Sequence, residues 1–158
     1  MFREITRIKQ KISEEECRKI LKEEKRGVLS VITPEGYPYG MPIDHYYDEE
    51  ENCLYFHTGK KGHRNDCLKE NNRVSYCVYD QGQRNEGEWA LHFQSVICFG
   101  RIEEVEDYEK GMDIARRLSA KFTDDTAYVE DDIRRNGHRT LILKLNIEHM
   151  TGKSVEES

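Results

Sequence analysis

Val28-Leu29-Ser30-Val31-Ile32-Thr33, Pro34-Glu35-Gly36, Tyr39 to Tyr47, Asp48-Glu49-Glu50-Glu51-Asn52 and Cys53-Leu54-Tyr55-Phe56-His57 follow one another along the chain. The first run is short and β-branched, and Pro-Glu-Gly after it is turn chemistry. Tyr39 to Tyr47 reads as one strand, with Pro42 tolerable only where no ladder donor is needed. The acidic loop then returns the chain to Cys53–His57, a third strand. Connections this short favour antiparallel neighbours, because parallel strands need a long crossover.

The rest of the chain fits around this core. Upstream, Ser13-Glu14-Glu15-Glu16 reads as a capping box, in which the serine oxygen and Glu16 satisfy each other's backbone amides. Cys17, Ile20 and Leu21 follow at helical spacing, and Lys25-Arg26-Gly27 ends that helix. Downstream, a connector with Gly59 and Gly62 leads into a short helix from His63 to Glu70, then a fourth strand from Arg73 to Tyr79. Trp89 to Val105 is a long extended run in which Gly100 marks a bend or bulge. Asp107 caps a helix striped by Met112, Ala115 and Leu118, and a further turn or two surrounds Asp131-Asp132. Thr140 to Ile147 is the sixth strand, and a polar tail, residues 154–158, follows a single domain over 1–153. Six strands with inserted rather than alternating helices argue against a doubly wound parallel sheet. A mainly β chain with added helices, as a small antiparallel barrel or sandwich, fits better.

Composition narrows the function classes. The chain has 158 residues, 35% of them charged and 36% hydrophobic, so one domain with a lean core is expected. A lean core points to added stability from oligomerisation or a bound cofactor. No apolar run approaches the roughly 18 residues of a membrane span, and the charged start lacks a signal-peptide core. Five scattered cysteines without a metal-like spacing read as reduced thiols, which favours the cytoplasm. A net charge of -6 argues against nucleic acid as a partner.

One segment runs against this acidic balance. His57-Thr58-Gly59-Lys60-Lys61-Gly62-His63-Arg64 gathers five cationic or protonatable side chains between a strand and a helix start. Free helix amides, the positive dipole end and two glycines make such a place suited to a phosphate or another anion. Arg64 is available for bidentate contact and Lys61 as a point charge. A solvated basic loop has the same composition, so both readings stand. The segment is not a P-loop, because GxxxxGK[ST] is absent. His57 reads either as a structural hydrogen-bonder or as a proton donor. His45 and His92 read as structural, with no metal site, and Glu49-Glu50-Glu51 and Asp131-Asp132 as solvated faces. Tyr37, Tyr39, Tyr46 and Tyr47 are core or interface material, or line a flat cofactor.

Gly36-Tyr37-Pro38-Tyr39-Gly40-Met41-Pro42, Leu54-Tyr55-Phe56-His57-Thr58 and Gly62-His63-Arg64, in this order, resemble the pyridoxamine 5'-phosphate oxidase-like FMN-binding split barrels. Within them the chain looks like the 5-nitroimidazole resistance (Nim) branch. Phe93 to Gly100 and Ile147-Glu148-His149-Met150-Thr151-Gly152-Lys153 extend the likeness over nearly the whole chain. The resemblance implies a six-stranded antiparallel Greek-key split β-barrel that forms a homodimer, with FMN at the subunit interface. It implies that Met41, Pro42, Ile43 and Asp44 meet the isoalloxazine edge, and that His57 and Thr58 lie beside the flavin. Lys61, His63 and Arg64 would hold the phosphate, while Gln94, Ser95 and Lys153 approach the same site. Nim-like chains often carry arginine where this chain has Gln94.

The function so implied is an FMN-dependent oxidoreductase passing electrons from NAD(P)H to a small acceptor, such as a nitro-aromatic compound. The redox chemistry would belong to the cofactor, and His57 is the one candidate catalytic side chain. Two other classes remain in play: a non-catalytic flavin-binding module and a haem-binding split barrel.

Overall fold

The computed structural model describes residues 1–157. After a 3-10 turn at Ile8–Gln10, helix α1 spans Glu14–Glu23. Both halves of its capping box are present: Glu16 N–H donates to Ser13 Oγ at 3.1 Å, and Ser13 N–H to Glu16 Oε2 at 2.7 Å. Strands β1 (Arg26–Ile32), β2 (Pro38–Asp44), β3 (Tyr46–Asp48) and β4 (Cys53–Gly59) follow. Then come α2 (His63–Glu70), β5 (Arg73–Tyr79), β6 (Leu91–Glu104), α3 (Tyr108–Ser119), α4 (Thr126–Asn136) and β7 (Thr140–Glu157).

The strands form one antiparallel sheet in the order β2-β1-β5-β6-β7-β4-β3. It has seven strands rather than the expected six, because the run from Tyr39 to Tyr47 is two strands divided at His45. Those two strands are the opposite edges of the sheet. One residue joins them, so Asp44 and Tyr46 stand no more than about 7 Å apart. Only a sheet curled until its edges meet satisfies that bond.

His45 is fully buried at this corner. Its Nε2 lies 2.7 Å from the Leu21 carbonyl oxygen, which only accepts, so that nitrogen carries the hydrogen. Its Nδ1 lies 2.7 Å from the Tyr76 hydroxyl, which is also 2.9 Å from the Ile43 carbonyl. Lys121 donates to the carbonyls of His45 at 2.6 Å and Glu24 at 2.8 Å. Burial, aided by the Lys121 charge, pushes His45 down to about 4. Burial likewise lowers Lys121, to about 8.

Inside the curl, Leu29, Val31, Leu54, Phe56, Tyr76, Val78, Val96, Cys98, Leu143 and Leu145 make the main core. Helix α1 closes one end with Cys17, Ile20 and Leu21, and α2 closes the other with Cys67 and Leu68. Helix α3 lies outside, with Ile114 against Cys53, Tyr55 and Ile142. Strand β4 therefore buries Cys53, Leu54, Tyr55 and Phe56 in succession, two on each face. The five cysteines are free thiols, and all but Cys77 are buried.

Four further features differ from expectation or sharpen it. The β6–β7 register shifts between Phe99 and Gly100, with Glu148 as the extra residue. A side chain at Gly100 would collide with the Asn146 carbonyl oxygen, which fixes glycine at the bulge. Residues 154–157, read as a polar tail, continue β7 opposite Leu91 to Gln94. Helix α4 runs eleven residues rather than a turn or two, because Asp125 caps it and Arg134 and Arg135 pair with Asp131 inside it. Glu51 is not merely solvated: it binds Lys144 at 2.6 Å and Tyr55 Oη at 3.2 Å. Among the described residues, no helix is long and apolar enough to cross a membrane.

Candidate functional site

The cationic segment leaves β4 and enters α2 at the rim of the barrel. Gly62, with φ of 141°, stands in backbone space that favours glycine and forms the N-cap of α2 without a side-chain cap. The other three α-helices are capped by Ser13, Asp107 and Asp125. The first intrahelical bond here runs from Asp66 N–H to the Gly62 carbonyl at 3.1 Å. The amides of His63, Arg64 and Asn65 precede it and are free for a ligand.

Side chains brace this opening. Arg64 donates through Nη2 to Thr58 Oγ1, while its buried Nε has no partner. Burial lowers the Arg64 pKa, a sign that the charge lacks full compensation. Asn65, only 6% exposed, donates to the Gly59 carbonyl at 2.7 Å and leaves its Oδ1 unpaired. The His63 ring tilts against Tyr39 with centroids 5.0 Å apart, which ties the loop to the start of β2. Among the described residues, no carboxylate lies within ion-pair distance of Lys60, Lys61, His63 or Arg64. Asn65 was absent from the sequence-based set; its only signal was a polar amide in the first turn after a glycine loop.

The remaining expected residues divide in space. Thr58 faces the barrel side with Leu54 and Phe56, whereas His57 faces outward with Cys53 and Tyr55. His57 is exposed and has no hydrogen-bond partner among the described residues, in contrast to His45. On β2, Ile43 is buried in the core and Met41 packs against it, while Pro42 is exposed and Asp44 pairs with Arg26 at 2.6 Å. Gln94, Ser95 and Lys153 stand elsewhere. Ser95 pairs with Tyr79 and Lys153, and Gln94 N–H donates to Asp80 at 3.1 Å. The registers align that row with Arg26 and Asp44, whereas the cationic loop adjoins Tyr39 opposite Val31. Five strand residues, roughly 17 Å, separate the two levels.

The family model described as pyridoxamine 5'-phosphate oxidase matches residues 13–154, which include the cationic loop and both groups of expected residues. The chain belongs to this family. A protein from Bacteroides thetaiotaomicron named for 5-nitroimidazole antibiotic resistance shares the fold with a TM-score of 0.77 and 21% identity, over 93% of this chain and 87% of that one. A FAD-binding protein from Mesorhizobium loti aligns with a TM-score of 0.66 and 22% identity, over 92% and 97%. A FAD and heme binding protein from Mycobacterium smegmatis aligns with a TM-score of 0.74 and 20% identity, over 92% and 72%. No curated protein matches the chain.

Proposed function

We propose that this member of the pyridoxamine 5'-phosphate oxidase family binds FMN as a homodimer and transfers electrons from a nicotinamide nucleotide to a small acceptor such as a nitro-aromatic compound. The cationic start of α2 carries this reading, since its charges and amides have no acidic partner among the described residues. Arg64, Lys61, His63 and the first amides of α2 suit a phosphate monoester. The open space above Gly59 and Gly62 lets a phosphate approach the backbone. FMN, when bound, would supply the redox chemistry; the chain binds the phosphate, orients the ring and limits water access. The neighbours named for FAD binding and nitroimidazole resistance support a flavin and a nitro-aromatic acceptor.

The division of expected residues supports a dimer. One chain holds the phosphate group at one level and Ser95 and Lys153 at another, so a second copy is needed to bring both to one ligand. The outer face of β2-β1-β5-β6-β7 offers Pro42, Val28, Cys77, Ile97 and Thr151 in one row, without a charge. A pair of such faces in an obligate dimer buries on the order of 2,000 Å² or more. Sedimentation should show a dimer at micromolar concentration; a folded monomer that still binds FMN would overturn this.

Arg64→Ala should weaken FMN by about 1.5–3 kcal/mol, the range for a charged hydrogen bond, and leave riboflavin nearly unchanged. Equal losses for both ligands would remove Arg64 from the phosphate site. The absorption spectrum of the purified protein separates flavin from haem, and nicotinamide-dependent turnover separates an oxidoreductase from a flavin carrier.

A further inference from the structure

Beyond α2, a second place on the molecule presents an unpaired polar atom. Phe99 of β6 and His149 of β7 are ladder partners just before the bulge, and both rings stand on the outer face of the sheet. Their centroids are 6.3 Å apart and inclined by 34°. Above them lies Phe2, 5.2 Å from His149 at only 9° and 5.3 Å from Phe99 at 26°. The His149 Nε2 beneath is buried and has no hydrogen-bond partner. An aromatic slot is thus filled by a ring that cannot satisfy the nitrogen at its edge.

The arm bearing that ring is weakly tied. Among the described residues, Met1 to Thr6 donate no backbone hydrogen bond, and Phe2 itself is 42% exposed. An exposed ion pair, Lys11 to Glu4 at 3.2 Å, joins the arm to the chain that follows. The first backbone tether to the sheet is Ile12 N–H to the Gly152 carbonyl at 3.1 Å. A pair of exposed charges adds little, so stacking is the main hold on Phe2.

We propose that Phe99 and His149 form a binding slot for a planar aromatic ligand with a polar edge, and that Phe2 occupies this slot as a built-in competitor. A nitro-aromatic acceptor has that chemistry: its ring replaces the Phe2 ring, and a nitro oxygen accepts from an Nε2–H of His149. The choice of this acceptor rests on the flavoprotein reading, whereas the slot does not. A flavin ring has the same flat shape and polar edge, so binding experiments must separate the two sources. With Phe2 docked, the free slot is only a fraction of the population, and ligand affinity falls by that fraction.

Calorimetric titration of the purified full-length protein with nitrofurazone, and separately with FMN, tests the slot. Phe2→Ala should tighten nitrofurazone by roughly three- to tenfold, the range expected when one stacked ring no longer competes. FMN affinity should stay unchanged if the occupant is the acceptor. A gain for FMN instead would keep the slot and assign it to the flavin ring. Adding His149→Phe to Phe2→Ala preserves a stacking ring without the nitrogen and should reverse most of the gain. If Phe2→Ala tightens neither ligand, Phe2 is only a hydrophobic cover and the proposal falls, whatever happens to the melting temperature. Failure of the flavoprotein reading would appear separately, as purified protein with no flavin spectrum and no FMN binding, while the nitrofurazone comparison would still decide the slot.

Discussion

His45→Ala should lower the unfolding free energy by about 3–5 kcal/mol, with a melting temperature lower by roughly 10 °C. The loss has two sources. Removing the imidazole leaves the Leu21 carbonyl without its donor and the Tyr76 hydroxyl without one of its two neighbours, all in dry core. It also opens a cavity where the chain changes from one sheet edge to the other. The same residue gives a pH signature. In the fold His45 is held down at about 4 by burial and by Lys121, whereas a free imidazole titrates near 6.5. Between those values the unfolded chain binds a proton that the native chain refuses, so native stability falls as pH drops from about 6.5 to 4. Urea unfolding at pH 7 and pH 5 should show this decline in the parent and much less of it in His45→Ala. A substitution cost under about 1 kcal/mol, or equal pH slopes in both proteins, would contradict the account of the corner.

His57→Ala should slow electron transfer to an acceptor by about 10²–10⁴-fold per bound flavin, the range for a positioned proton donor. A stabilising imidazole makes hydrogen bonds, as His45 does, but His57 is exposed and makes none among the described residues. It directly precedes Thr58, which braces Arg64, and its side chain leaves the opposite face of β4. The melting temperature and flavin content of the variant should therefore match the parent within error. Flavin-normalised rates that stay unchanged across several acceptors would take His57 out of the chemistry.

The strands were legible because their signals are local. The β-branched run before Pro34, the turn at Gly36 and the alternation from Arg73 to Tyr79 all report on the few residues around them. The corner was not legible. Asp44, His45 and Tyr46 have nothing in their own chemistry to announce a break, and what bends the chain there is Leu21, Tyr76 and Lys121, distant in sequence. The same limit governs the site. Glycines and cations between a strand and a helix are visible in sequence, and they meet at one rim. That Thr58 and His57 face opposite sides follows from strand parity, once Phe56 is known to point inward. That Lys153 and the cationic loop stand at different levels of the sheet follows only from the ladder registers.

The one-residue corner also bears on how the chain finds its shape. Hairpin β1–β2 and hairpin β3–β4 are each local, and His45 joins them directly. Local pairings form early because closing a short loop loses little chain entropy. The seam between β6 and β7 is different, since helices α3 and α4 intervene before its long ladder can zip. Strand β4 must then dock on β7, again across a wide span of sequence. Folding should thus proceed from the N-terminal hairpins to a late β7, with the rate set by that strand's arrival. Until it arrives, the free edges of β4 and β6 are unpaired templates for association with other chains. The final strand is therefore where a truncated or newly synthesised chain is most exposed to aggregation.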